Sequence, residues 1–134
     1  MRRQFRLPEA DEAYLEALGL PWETGVDGVV QWLLIHDRPV PAGYNHTKAL
    51  TAIQIPASYP DVQLDMVYFL PALARADGGQ INALSSQPID GKSFQRWSRH
   101  RTSENPWRAG EDDLAGHLTL VDHWLLREVG GRKP

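Results

Sequence analysis

The sequence predicts an α+β fold in which an antiparallel β-meander is flanked by an N-terminal and a C-terminal helix. Apolar residues recur at helical spacing near both ends, as Tyr14, Leu15 and Leu18 and again as Leu114, Leu118, Val121 and Leu125. Between them lie three runs with strand character, joined by short links containing proline and glycine. Short links between successive strands imply antiparallel pairing.

The first helix is expected from about Pro8 to Leu18. Pro8 suits a first turn, Glu9, Asp11 and Glu12 suit the positive end of the helix dipole, and Gly19 with Pro21 ends it. Val29 to Ile35 is rich in β-branched and aromatic residues and reads as a mostly buried strand, stopped at Asp37-Arg38-Pro39. Pro39, Pro41 and Gly43 make a turn, and Lys48 to Ile55 is the second strand, ended by Pro56. Gln63 to Leu70 alternates in part, with Leu64, Met66 and Tyr68 on one face and Asp65, Val67 and Phe69 on the other, and is the third. Pro71 to Lys92 carries Gly78-Gly79, Pro88 and Asp90-Gly91 and reads as a long loop with one brief ordered segment, Ile81 to Leu84. The last helix is expected from about Asp112 to Val129, with Arg127 at its negative end and Gly130 as its stop.

A chain of 134 residues, 42% apolar, fits one domain over residues 1–134, with its core over about 7–129 and a short C-terminal tail. The absence of cysteine excludes disulfides, thiolate metal sites and a cysteine nucleophile. Met1-Arg2-Arg3 leads into mixed and charged residues, not an apolar export segment, and Val29 to Ile35 falls far short of the roughly 20 residues that span a bilayer. A cytoplasmic protein with no membrane partner is expected. The formal net charge of −3 argues against broad phosphate-backbone binding, so nucleic acid is a disfavoured partner.

The stretch with the composition of a site is Phe94 to Arg101, followed by Trp107. It holds Arg96, Trp97, Ser98, Arg99, His100 and Arg101. In an extended conformation Arg96, Ser98 and His100 share one side, while Trp97, Arg99 and Arg101 share the other. In a helix, residues two apart would diverge. The three arginines form a positive patch on a slightly acidic chain, able to hold one anion or meet one acidic partner.

The order of helix, meander, Tyr-Pro, loop, reactive stretch, Trp and helix resembles the ubiquitin-conjugating (UBC) fold. More closely, Pro41-Ala42-Gly43-Tyr44, Ile55-Pro56, Tyr59-Pro60, Trp97-Ser98-Arg99-His100 and Trp107-Arg108 resemble the bacterial prokaryotic E2 family E, over roughly Leu7 to Glu128. The resemblance implies an acyl carrier in a ubiquitin-like conjugation pathway. Its implied partners are a ubiquitin-activating-type adenylating enzyme, a ubiquitin-like protein and a target protein, with no cofactor. Such families sit beside activating enzymes and peptidases in bacterial operons, some of which serve antiphage defence.

By that resemblance, the position matching the acceptor cysteine is Ser98. Ser93 is the reserve nucleophile. The His-Pro-Asn motif of the fold has no counterpart, since Gln87-Pro88-Ile89 near that place lacks both the His and the Asn. A serine hydroxyl is a far weaker nucleophile than a thiol and needs a positioned base, for which His100 is available. Arg96, Arg99 or Arg101 could stabilise the oxyanion or bind the partner, and Trp97, Trp107 and Trp124 are expected to pack, with Trp107 seating the loop.

Two other readings stand beside this one. A non-catalytic UBC-fold adaptor would account for the missing cysteine and His-Pro-Asn motif, and a nucleic-acid or phosphate-binding module would use Trp97 and the arginines for stacking and charge. His117 and His123, six apart on the last helix, do not share a face and give no metal site. Gly130-Gly131 reads as a helix stop followed by a tail.

Overall fold

The structure is a computed structural model that describes residues 1–130; the expected tail beyond Gly130 lies outside the described residues. The elements are α1 (Glu9–Leu18), β1 (Trp22–Asp27), β2 (Val30–Pro39), β3 (Lys48–Ile55), β4 (Val67–Leu70), β5 (Leu84–Ile89), β6 (Lys92–Trp97) and α2 (Leu114–Val129). All six strands join one sheet in the order β1-β2-β3-β4-β6-β5, every pair antiparallel. The α+β class and the β2-β3-β4 meander are as the sequence predicts.

Both helices have the ends their sequences dictate. Gly19, in the left-handed region at φ 74°, closes α1 and donates its N–H to the Glu16 carbonyl. The Asp113 side chain caps α2 by accepting from the Gly116 N–H. Among the described residues, no helix is long and apolar enough to cross a membrane.

Strands β1, β2 and β5 depart from the sequence pattern, and β4 is shorter than the expected Gln63 to Leu70, starting at Val67. β1 has no counterpart among the predicted strands, because Gly25 and the polar residues of Trp22–Asp27 weaken its strand signal. β2 runs past Asp37, where the chain turns to φ 57° and the register shifts between Ile35 and Arg38, so the irregularity is a bulge and not a stop. The expected long loop from Pro71 to Lys92 is corrected by β5. Ile89 faces Lys92 across a two-residue turn in which Asp90 (φ 54°) and Gly91 (φ 76°) are both left-handed, the geometry of a type I′ hairpin.

The sheet has an apolar cluster on each face. Leu33, Ile35, Ile53, Val67, Phe69 and Trp97 pack against Leu15 of α1 and Leu118, Val121 and Leu125 of α2. Trp32, Leu34, Ala52, Tyr68, Ile89 and Phe94 form the other cluster, with the Trp32 and Tyr68 rings edge to face at 4.9 Å. The sheet curls around this second cluster until turns from its two edges meet. The Asp90 N–H donates to Asp27 Oδ2 at 3.0 Å, and Arg2 bridges Glu23 and Asp90. Residues 2–4 run along β1 and cover its outer edge.

Pro41-Ala42-Gly43-Tyr44 fastens the β2–β3 link to α2. The Tyr44 hydroxyl donates to the Leu125 carbonyl at 2.7 Å, and a Cβ at Gly43 would stand 2.8 Å from Val129 Cβ, so this close approach requires glycine.

Candidate functional site

β6 delivers the reactive stretch. The strand ends at Trp97, whose fully buried ring packs edge to face on Phe69 at 5.6 Å and whose Nε1 donates to Gln95 Oε1 at 2.9 Å. Gln95 in turn bonds both backbone groups of Leu73, tying the chain after β4 to the strand. Trp97 is thus the packing residue that the sequence predicts, and its burial leaves no ring face for stacking a base.

Beyond Trp97 the chain runs between the starts of β4 and β5. The Ser98 N–H donates to the Ala83 carbonyl at 3.0 Å, and the Arg99 carbonyl accepts from the Met66 N–H at 3.1 Å. Ser98 is half-buried and His100 is exposed. Among the described residues, no hydrogen bond joins Ser98 to His100 and none engages the Ser98 hydroxyl.

His100 pairs instead with a residue that the sequence pattern places on a strand face. Its Nδ1 lies 2.8 Å from Asp65 Oδ2. Asp65 falls just before β4 because Met66, at φ 58°, breaks the alternation predicted from Gln63 onward. The same break puts Leu64 in the helix-side core with Val67 and Phe69, not with Met66 and Tyr68. The signal for Asp65 is its carboxylate within the apolar run Leu64-Asp65-Met66-Val67. Its partner, 35 positions away in sequence, is not visible there.

The three arginines do not form one open patch. Arg96 Nε donates to Ser85 Oγ at 2.9 Å across the β5–β6 pair. Arg99 stacks over Trp97 at 5.0 Å, donates to the Asn82 and Ser98 carbonyls at 3.0 and 3.2 Å, and comes within 3.5 Å of Glu128 on α2. Arg101 is buried, its side chain 6% exposed, lying 4.9 Å over Trp107 and 4.0 Å from Asp112. Trp107 donates from Nε1 to the Pro60 carbonyl at 3.0 Å and faces Tyr59, so it seats the loop as expected.

A buried polar centre lies under the Asp65 end of the site. His117, wholly buried on α2, has its Nε2 2.9 Å from the Met66 carbonyl; a carbonyl only accepts, so Nε2 carries the proton and Nδ1 keeps its lone pair. Burial pushes the His117 pKa down to about 4, which keeps the ring neutral at ordinary pH. Three buried side-chain atoms among the described residues have no hydrogen-bond partner: Asp65 Oδ1, Arg101 Nε and His117 Nδ1. The Arg101 charge adds to the lowering of the His117 pKa, and the Asp65 charge opposes it. His123 is exposed, on a different face of α2 from His117.

Ser93 and Gln87-Pro88 lie at the other end of the β5–β6 hairpin. Ser93 is exposed opposite Pro88, and Gln87 is opposite Phe94, whereas Ser98 follows the pair Leu84–Trp97. Gln87-Pro88 is therefore no neighbour of Ser98.

A family model described as prokaryotic E2 family E matches residues 7–128. No curated protein and no solved structure matches the chain.

Proposed function

Because the chain belongs to the prokaryotic E2 family E, with a helix–antiparallel sheet–helix arrangement of the UBC type and a role in ubiquitin-like conjugation, we propose that it is an acyl carrier whose acceptor is Ser98. The observation that supports this reading is the state of that hydroxyl. It is half-exposed, unpartnered among the described residues, and two positions from an exposed imidazole, while the arginines and tryptophans around it are engaged.

In the proposed reaction, Ser98 Oγ attacks the C-terminal carbonyl of a ubiquitin-like protein held on its activating enzyme. The O–C bond forms, the bond to the activating enzyme breaks, and the serine proton passes to His100 and on to the leaving group. An amine then attacks the oxyester and gives a proton to His100; the N–C bond forms, the O–C bond to Ser98 breaks, and the departing serine oxygen takes the proton back from the imidazolium. Contacts of this kind tighten when the acyl donor arrives, so the separate positions of Ser98 and His100 in the free chain are compatible with it. Arg99 donates to the Ser98 carbonyl at 3.2 Å, which holds a cation on the acceptor residue itself.

The test is intact mass after incubation with ATP, a neighbouring activating enzyme and its ubiquitin-like protein. An adduct that resists thiol, yields to hydroxylamine and is lost in Ser98→Ala supports the reading; loss in Ser93→Ala instead transfers the role to Ser93. The adaptor is the second reading, favoured by the absence, among the described residues, of a hydrogen bond between Ser98 and His100. It predicts stable binding to the activating enzyme with no adduct on any serine.

A further inference from the structure

We infer that Asp65 is the positioning residue of this site: its carboxylate holds the His100 ring in the tautomer that leaves Nε2 free to take the Ser98 proton. The inference rests on the acyl-carrier reading and extends it to a residue outside the reactive stretch.

An ionised carboxylate only accepts hydrogen bonds, so the 2.8 Å contact requires His100 Nδ1 to carry the proton. The lone pair then sits on Nε2, at the other side of an exposed ring. An imidazole oriented by a carboxylate in this way takes a proton from one partner while the carboxylate stabilises the cation that results.

Main-chain bonds hold the pair in place from behind. Met66, next to Asp65, donates its N–H to the carbonyl of Arg99, next to His100, at 3.1 Å. The Met66 carbonyl is held in turn by Nε2 of the buried His117, so the two halves of the dyad are clamped together and anchored on α2. An exposed His-Asp pair on its own would be a surface ion pair of small consequence. Here the backbone on both sides is fixed, so the His100–Asp65 pair itself is ordered before substrate binds.

The experiment uses the full chain and two readouts. Two-bond nitrogen–proton NMR correlations of the neutral His100 ring report its tautomer, and the rate of Ser98 adduct formation from the charged activating enzyme reports its chemistry. The parent is expected in the Nδ1–H form, and Asp65→Ala is expected to lose that preference and to slow adduct formation on the order of 100-fold. Asp65→Asn keeps the side-chain volume but not the charge and is expected to be similarly slow, with an unchanged thermal melt to show that folding is intact. An unaltered tautomer in Asp65→Ala, or adduct rates within about twofold of the parent in both variants, overturns the inference. If the parent itself forms no adduct on Ser98, the acyl-carrier reading falls and takes the proton-transfer role with it, while the tautomer still decides whether Asp65 positions His100.

Discussion

The Tyr59 hydroxyl donates to the buried carboxylate of Asp11, fastening the turn to which Trp107 is hydrogen-bonded onto the first turn of α1. Burial pushes the Asp11 pKa up, and the Tyr59 bond opposes that rise. The folded state therefore binds this proton more tightly than the unfolded chain. The resulting stability is fully present below the unfolded pKa and is lost as the pH rises through the folded one. Tyr59→Phe removes the opposing bond and leaves the carboxylate under-satisfied, with an expected cost of about 1–3 kcal/mol near neutral pH and less near pH 4. Urea unfolding of parent and variant at the two pH values measures the difference; equal losses at both would contradict the linkage.

His117 has the opposite sign. Its pKa is depressed by burial to about 4, against about 6.5 in an unfolded chain, so its contribution is present above the unfolded value and lost as the pH falls through the folded one. At about 1.4 kcal/mol per unit, the loss between these limits is about 3 kcal/mol. His117→Gln is expected to flatten stability against pH in this window. It should also cost on the order of 1 kcal/mol near neutrality through the bond to Met66.

The arginines divide by burial. Arg101→Ala removes a cation packed on Trp107 beside Asp112 and is expected to cost about 2–4 kcal/mol, whereas Arg96→Ala, which gives up a partly exposed bond to Ser85, should cost under about 1 kcal/mol. Chemical denaturation ranks them directly, and a reversed order would contradict this division of roles.

Trp97→Ala empties a fully buried site between Phe69 and Tyr44 and is expected to cost about 3–5 kcal/mol. Any effect on conjugation should then follow the fraction folded. A folded variant with a selectively lost partner would show that the ring has a recognition role after all.

Asp27→Ala removes the acceptor of the Asp90 N–H and opens the closure between the two outer hairpins. A loss of about 1 kcal/mol is expected, with amide exchange quickening in β1 and β5 while β2 and β3 stay protected. Uniform acceleration across the sheet would mean that the closure is not a separable unit.

Elements with one dominant local signal are legible in the sequence alone. β3 runs Lys48–Ile55 as its β-branched residues and following proline require, and α2 shows its period in Leu114, Leu118, Val121 and Leu125. The β5–β6 hairpin is masked for an identifiable reason. Asp90-Gly91 reads as a loop mark within a stretch rich in glycine and proline, although the same dipeptide is a strong demand for a two-residue hairpin turn.

The sequence by itself determined the fold class, the family, the absence of any thiol chemistry and the clustering of hydroxyl, imidazole and guanidinium groups around Trp97. Those properties depend on residue type and short spacing, which the chain carries locally. Only the tertiary structure decided that His100 meets Asp65 and not Ser98, that Arg101 is buried, and that the sheet curls until Asp27 meets Asp90. Each is a contact between segments remote in sequence. It is selected by the burial of two apolar faces and by left-handed backbone at positions such as Met66, and residue spacing alone carries no record of that selection.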